Sequence, residues 1–242
     1  MSTQETRLGN FAPAPTIRSV RTASVVAGVG LAMMALLSAF AVFGALGGIG
    51  SAGDTSRVAQ AITDSESLFR WGILALILVA VLDVIVAAGL LEVFAPVSRK
   101  VSTLAAYFRV AYAGVFLVAI SQLPGMLADA GGSASVEQRV QTFDDLWHVG
   151  LVFFGVHLVL IGWLAYRSGW VATIFGVLLV VSGLGYLADT VGTVLVPGYS
   201  PVIAQFTFVG EVALIFWLLV KGRCLASLEG TTAAAKPPST AR

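Results

Sequence analysis

Charge is scarce in this chain. Only 11% of its 242 residues are Asp, Glu, Lys or Arg, whereas an ordinary soluble domain carries about a quarter. Hydrophobic residues make up 57%. A water-soluble protein of this length would need more charge to cover its surface, so the composition excludes that class. The formal net charge of +1 gives no electrostatic reason to expect a nucleic-acid partner.

Cysteine and histidine are nearly absent as well. The single Cys224 excludes an intramolecular disulfide and a metal site built from several cysteines. His148 and His157 are nine residues apart, so on one helix they point in opposite directions and cannot chelate one metal together. The HExxH, P-loop and dinucleotide-binding motifs are missing. The sequence therefore favours a protein without metal, cofactor or enzymatic activity.

The apolar residues fall into long runs separated by polar or Gly/Pro-rich joints. A helix needs about 20 apolar residues to cross about 30 Å of hydrocarbon. The alternation typical of membrane β-barrels is lacking. We therefore predict an all-α, polytopic transmembrane bundle of about six helices in the lipid bilayer. The runs lie near residues 22–49, 68–95, 101–123, 147–166, 170–194 and 203–221.

The basic residues predict the orientation of this bundle. Residues 1–20 and 223–242 are polar and are expected to be disordered tails, while 21–222 form the transmembrane domain. Cytoplasmic segments of membrane proteins are enriched in Lys and Arg. Residues 1–21, residues 221–242 and the two short joints carry ten of them, and the opposite side carries only Arg57 and Arg139. This asymmetry predicts a multi-pass cell-membrane protein with both termini in the cytoplasm. The ten are Arg7, Arg18, Arg21, Arg99, Lys100, Arg167, Lys221, Arg223, Lys236 and Arg242.

The outer joints predict short interfacial helices. Val58, Ile62, Leu68 and Phe69 recur at near-helical spacing, which is typical of a helix lying on the membrane surface. Ser135 and Gln138 fit a capping box that would start a second short helix. Such helices can simply bury the ends of the spans, or they can cover a cavity.

Gly44 and Gly48 form a G-x-x-x-G pattern in the first run. Small residues at this spacing let two helix backbones approach closely. The pattern is compatible with an internal helix contact and with a homodimer interface, and both alternatives stay open.

Several strings together resemble a known family. They are "ESLFRWG", "AAYFRV", "GLVFFGVHLVLIGWLAYRSG", "GVLLVVSGLGYLAD" and "GEVALIFWLLVKG". In combination they are similar to the bacterial multi-pass family described as domain of unknown function 4386, over roughly residues 20–222. The resemblance implies a membrane protein of six helices whose activity is not established, and it supplies no catalytic residues.

Ionisable residues inside the runs are the candidates for a functional site. An Asp or Arg at the centre of a membrane helix costs about 3 kcal/mol unless it finds a partner or water. From the cytoplasmic joint, Asp83 lies about 18 Å deep and Arg109 about 12 Å deep. Glu92 points away from Asp83 and can reach the interface. We therefore predict that Asp83 pairs with Arg109, either as a structural lock or as a pair that opens during transport.

His157 and Glu211 are expected to meet on the fourth and sixth helices. Measured from the outer surface they lie about 15 Å and 12 Å deep, so they share a level. A carboxylate beside the imidazole would stabilise its protonated form. His157 is then either a packing residue or half of a proton-responsive pair. Together, Asp83, Arg109, His157 and Glu211 form the predicted polar cavity.

A second polar cluster is predicted at the outer rim, made of Glu66, Arg70, His148 and Asp189. Glu66 and Arg70 have the i, i+4 spacing of a helix-surface ion pair. Two functional classes follow for the whole chain. The first is a structural or accessory bundle with buried ion pairs. The alternative is a proton-responsive small-molecule carrier, or a ligand-sensing protein, that uses the polar cavity.

Overall fold

The computed structural model describes residues 17–49, 55–128, 133–199, 201–203 and 209–221. This part of the chain is helical nearly throughout and contains no strand, which confirms the predicted all-α class. Apart from the first turn of α1, the predicted tails lie outside it. The helices are α1 (Ile17–Ala39), which continues as a π-helical segment (Phe40–Ala45), α2 (Thr55–Asp64), α3 (Glu66–Ile120), α4 (Leu123–Ala128), α5 (Ser133–Ser168), α6 (Thr173–Leu195) and α7 (Val209–Val220).

The helices have the length and surface of membrane-spanning segments. Four stretches are long and apolar enough to cross a bilayer: Val20–Ala45, Glu66–Ala128, Ala134–Ser168 and Thr173–Leu195. Large apolar side chains cover their outer faces, as at Leu36 with 69% exposure and Leu184 with 54%. Soluble monomers rarely expose apolar surface on this scale, whereas a lipid environment accommodates it. The protein is a membrane-associated helical bundle.

Helix α3 is a hairpin of two antiparallel arms. Its backbone bends at Ser98, where φ is −162° and ψ is 105°, two residues after Pro96. Proline has no N–H for the preceding helical turn, so the helix is weakened there. The Ser102 hydroxyl donates to the Leu91 carbonyl over 2.9 Å, although in a straight helix eleven residues would separate them by about 16 Å. The predicted second and third runs therefore pack side by side without a loop.

The spans form a closed ring in which each helix packs on the next. Helix α1 packs on α3, α3 on α5, α5 on α6, and α6 on α7. Helix α7 closes the ring against α1, where the Ser24 hydroxyl donates to the Leu218 carbonyl over 3.3 Å. This arrangement directs one face of each span toward a common interior.

Glycines bring α5 and α6 into backbone contact. Gly155 lies opposite Gly183, and Gly162 lies opposite Gly176, in antiparallel register. A Cβ on Gly183 would lie 2.5 Å from the Gly155 carbonyl oxygen, and one on Gly176 would lie 2.8 Å from that of Gly162. Only glycine fits at such separations, so these glycines allow the backbones of α5 and α6 to approach closely.

Gly44 and Gly48 do not form the internal contact that the sequence suggested. Gly44 is exposed, and a Cβ on it would approach only the ring of Phe40 in its own helix. Gly48 lies beyond the π-helical segment with a φ of 86°, so the two glycines do not share a helical face. The internal contact is instead made one residue later, where Ala45 and Leu46 pack on Gly72. A homodimer through Gly44 stays a prediction.

The outer helices are partly as predicted. Helix α2 is present, and its Val58 and Ile62 are buried, 2% and 6% exposed. The helix predicted near Ser135 is not separate, because α5 begins at Ser133 and continues without interruption into the fourth span. At 36 residues α5 is about 54 Å long, so it extends beyond a bilayer.

The sixth predicted run, 203–221, is described only in part. Helix α7 covers 12 residues, which is about 18 Å and shorter than the hydrocarbon core. Residues 204–208 lie outside the part of the chain that the structure describes. The first turn of α7 contains Glu211, and Leu214, Trp217 and Leu218 further along the helix are buried.

Candidate functional site

Arg109 lies at the centre of the bundle and is paired with Asp83. The hairpin places the two residues on facing arms of α3, where Arg109 Nη2 and Asp83 Oδ1 are 2.7 Å apart. Arg109 is 2% exposed and Asp83 is fully buried. The predicted ion pair is confirmed. Glu92, which the sequence placed on the opposite side of the same arm, is half-buried and takes no part in it.

The ion pair is close, but its polar atoms are not all hydrogen-bonded. The Arg109 guanidinium approaches Asp83 at an angle that does not make a hydrogen bond, so both carboxylate oxygens lack a donor among the described residues. Arg109 Nε lacks an acceptor in the same sense. Buried polar atoms usually have hydrogen-bond partners. The 2.7 Å contact between opposite charges is therefore the main interaction of Asp83 and Arg109.

His157 supports Arg109 from α5. Its Nε2 lies 3.2 Å from Arg109 Nη1, and its Nδ1 lies 2.8 Å from the Ala105 carbonyl oxygen. A guanidinium has donors only, so Nε2 must accept and the single ring proton must be on Nδ1, which donates to Ala105. A second proton on Nε2 would point at Arg109. His157 is thus held as a neutral ring.

Two further side chains complete the surroundings of Arg109. Arg109 Nη2 lies 3.8 Å from the Met34 sulfur on α1. The guanidinium carbon lies 5.3 Å from the centre of the Phe154 ring, within cation–π range. We call Arg109, Asp83, His157, Met34 and Phe154 the Arg109 hub. It joins α1, both arms of α3 and α5 through one side chain.

The expected pair between His157 and Glu211 is not formed. His157 hydrogen-bonds to Arg109 and Ala105, whereas Glu211 Oε1 accepts from the Tyr186 hydroxyl over 2.9 Å. Phe154 contacts both rings, with centroids 5.9 Å from His157 and 5.5 Å from Tyr186. The prediction based on equal depth was wrong, because the sequence does not show that α6 lies between α5 and α7 in the ring.

The sequence-based interpretation also missed Tyr112 and Tyr186. Tyr112 is three residues after Arg109 on the same helical face, and its hydroxyl accepts from Trp147 Nε1 over 3.1 Å. Tyr186 is the donor to Glu211. The i, i+3 spacing from Arg109 could have identified Tyr112, but nothing in the sequence indicates that Tyr186 faces Glu211.

The predicted outer-rim cluster divides into separate hydrogen-bond networks. The Glu66–Arg70 pair is present on an exposed helix face, with Arg70 Nε 2.9 Å from Glu66 Oε1. His148 Nδ1 contacts the Asp144 carbonyl of its own helix over 2.7 Å. Asp189 is 4% exposed and is therefore buried. No hydrogen bond joins the Glu66–Arg70 pair to Asp189 among those the structure describes.

Asp189 anchors the loop that follows α6. Its Oδ1 accepts from the Tyr199 hydroxyl over 2.7 Å and from the backbone amides of Val202 and Ile203 over 3.2 and 3.1 Å. Losing the phenolic proton would remove the hydrogen bond to this carboxylate, so the bond raises the pKa of Tyr199 above its usual value. Within the described part of the chain, no three His, Cys, Asp or Glu side chains come together as a metal site would require.

Comparison with known proteins places the chain in a family. The model of the family described as "Domain of unknown function (DUF4386)" matches residues 26–222. An "Uncharacterized protein" of Archaeoglobus fulgidus is 34% identical over 161 residues, which cover 66% of this chain and 90% of that protein. No solved structure matches the chain. The family match includes every residue of the Arg109 hub, and the chain therefore belongs to the DUF4386 family of proteins with no established activity.

Proposed function

We propose that this chain is a structural or accessory membrane protein whose buried charges specify helix pairing. The observation that carries the proposal is the Arg109 hub, in which one side chain contacts residues of α1, both arms of α3 and α5. Asp83 compensates the charge of Arg109 inside the bundle. The second terminal nitrogen of Arg109, Nη1, donates to the neutral ring of His157.

Such a hub supplies a specificity that apolar side chains cannot provide. Lipid tails are as apolar as Leu or Val, so hydrophobic burial does not decide which membrane helices pack together. An unpaired Arg or Asp inside the bilayer is costly, and arrangements that separate Arg109 from Asp83 are therefore disfavoured. The pair would thus select one hairpin geometry for α3 and one position for α5.

We also propose that the protein resides in the cell membrane with six spans and both termini in the cytoplasm. The ten-to-two distribution of Lys and Arg supports this orientation. Cys224, the single native cysteine, reports on it directly. A membrane-impermeant thiol reagent should leave it unmodified in intact spheroplasts and modify it after lysis. Modification in intact spheroplasts would reverse the orientation.

Replacement of the ion pair by apolar residues tests the structural role. In a strain lacking the native gene, the double variant Asp83→Leu/Arg109→Met should restore the wild-type phenotype, because two apolar side chains of similar size also pair the arms. Each single variant should fail, since it leaves one buried charge without its partner. A double variant that is folded and membrane-inserted but does not restore the phenotype would contradict a purely structural role.

A second candidate function is a carrier or ligand-sensing protein that uses Asp83, Arg109, His157 and Glu211 as a polar cavity. The observation in its favour is that Asp83 Oδ2 and Arg109 Nε have no hydrogen-bond partner among the described residues, so a polar ligand could bind there. A thermal-shift screen of small polar metabolites on purified protein tests it. A compound that stabilises the wild type but not the Asp83→Asn variant would favour this candidate over the structural one.

A further inference from the structure

The charges buried in the bundle do not balance. Asp83 and Arg109 compensate each other at 2.7 Å, and His157 is neutral because it accepts from Arg109. Glu211 then remains as a carboxyl group inside the apolar ring of helices. Among the described residues its one hydrogen bond comes from Tyr186. A carboxylate without a cation in such surroundings is expensive, and neutralisation by a proton removes most of that cost.

Among the side chains that the structure describes, the helices packed around Glu211 supply no cation that pairs with its carboxyl group. Helix α7 packs on α6 and α1. Helix α6 contributes the hydroxyl of Tyr186 and, one turn further out, the carboxylate of Asp189. The ionisable group described on α1 is Arg21, which lies near Ser24 and thus beside Leu218 at the other end of α7.

The Arg109 hub is close enough to act on Glu211 electrostatically, but its two charges oppose each other. Arg109 attracts a negative charge on Glu211, whereas Asp83 repels it. Tyr112, the other ionisable group nearby, is a neutral phenol that donates no hydrogen bond to Glu211. The net field of the surroundings therefore does not replace a dedicated cation.

We propose that Glu211 is a proton-binding site inside the bundle, with Tyr186 as the residue that positions its carboxyl group. A hydronium ion transfers its proton to Oε2 of the Glu211 carboxylate, which accepts no hydrogen bond from the described residues, and the products are the neutral acid and water. Meanwhile Tyr186 continues to donate to Oε1. Glu211 retains some exposed surface whereas Asp83 has none, so Glu211 is the more accessible of the two carboxyl groups.

The occupant is a proton and not a divalent metal ion. Ca²⁺ takes six to eight oxygen ligands, and Mg²⁺ requires an octahedral set. One carboxyl group and one phenol fall far short of either. The proton site uses residues of α6 and α7, and it meets the Arg109 hub at Phe154, whose ring centroid lies 5.5 Å from that of Tyr186.

Infrared spectroscopy of the protein in lipid nanodiscs tests the proposal directly. A pH titration of the wild type should show the carbonyl band of a protonated carboxyl group in an apolar environment, and this band should disappear as the pH is raised. The band should be absent at every pH in Glu211→Gln. It should persist unchanged in the control Glu92→Gln, which alters a half-buried carboxyl group of α3 near the bend.

The Tyr186→Phe variant keeps the proposal testable if Glu211→Gln does not fold. Loss of the phenolic donor should move the same band to higher frequency and change its titration midpoint. A wild type without a titrating band, or a band unaffected by Glu211→Gln and by Tyr186→Phe, would overturn the proposal. So would a band that sodium, but not choline, abolishes at constant pH, since Glu211 would then bind a metal cation.

Discussion

A double-mutant cycle on Asp83 and Arg109 measures how strongly the buried pair holds the bundle together. In Arg109→Met, the Asp83 carboxylate stays buried with no cation near it. In Asp83→Leu, the guanidinium keeps His157 and Phe154 but loses its counter-charge. In the double variant neither charge remains, and two apolar side chains fill a comparable volume.

The geometry sets the size of the expected effect. Unit charges about 4 Å apart attract by about 4 kcal/mol at an effective dielectric constant near 20. The Nη2–Oδ1 distance of 2.7 Å and the nearly complete burial of both groups place this pair in that regime. Removing one member of a buried pair costs about 3–5 kcal/mol, while replacing both by apolar residues is often neutral. We therefore expect each single variant to lose about 3–5 kcal/mol and the double variant to lose less than either.

Equilibrium unfolding in mixed detergent micelles, titrated with SDS, gives the free energy of unfolding of the wild type, of each single variant and of the double variant. The exposed Glu66–Arg70 pair is the matched control, because its side chains are 60% and 61% exposed. A cycle on that pair should give a coupling energy below about 0.5 kcal/mol. If the losses of the two buried single variants simply add in the double variant, the pair does not couple the arms of α3 and the reasoning fails.

Three other predictions follow from the contacts around the hub and the loop. The ¹⁵N spectrum of His157 should show a neutral ring protonated on Nδ1 between pH 5 and 8, where an unperturbed histidine titrates; an imidazolium signal in that range would contradict the hydrogen-bond assignment. Gly183→Ala should destabilise the protein by about 1–3 kcal/mol in the same SDS assay because its Cβ would lie 2.5 Å from a backbone oxygen, whereas Gly114→Ala, with nothing within 4 Å, should not destabilise it. Asp189→Asn should speed hydrogen exchange in the loop after α6 and lower the pKa of Tyr199 toward its usual value, so that part of the ultraviolet tyrosine titration moves to lower pH. An unchanged titration would show that the Asp189 carboxylate does not control the pKa of Tyr199.

The sequence predicted the features that depend on membrane physics. A long apolar run inside a bilayer must form a helix, because a helix satisfies its own backbone hydrogen bonds. The helical class therefore followed from the length and composition of the runs. The Asp83–Arg109 pair was also predictable, because both residues are costly inside a bilayer and a tight joint links their helices. Pro96 marked the position of that joint to within two residues.

The sequence-based interpretation did not identify Arg109 as the partner of His157, although the estimated depths of the two residues agree. Arg109 lies about 12 Å from one surface and His157 about 15 Å from the other, which places both near the middle of a core about 30 Å thick. The agreement was not recognised because the depth of Arg109 was measured from the cytoplasmic surface and that of His157 from the outer surface. Glu211 was chosen as the partner because its depth and that of His157 were both measured from the outer surface. That choice ignored which helices are neighbours, and one sequence does not show the order of helices in a ring.

The glycine contacts show a second limit of sequence patterns. Gly44 and Gly48 have the familiar spacing of four residues, yet the chain leaves the α-helix before Gly48. The close contact uses a spacing of seven residues on each of α5 and α6, as in Gly155 and Gly162. Small residues at either spacing lie on one face of a helix, and only the packing partner decides which face is used.

The distance between Arg109 and Asp83 in a lipid bilayer tests the central claim most directly. Solid-state NMR on protein in liposomes, with ¹⁵N-labelled arginine and ¹³C-labelled aspartate, can measure the dipolar coupling between the guanidinium and the carboxyl carbon. Coupling that disappears in Arg109→Met and in Asp83→Leu would assign the contact to this pair, and we expect the strong coupling of an ion pair with Nη2 and Oδ1 2.7 Å apart. Absence of that coupling in the folded wild type would contradict the account.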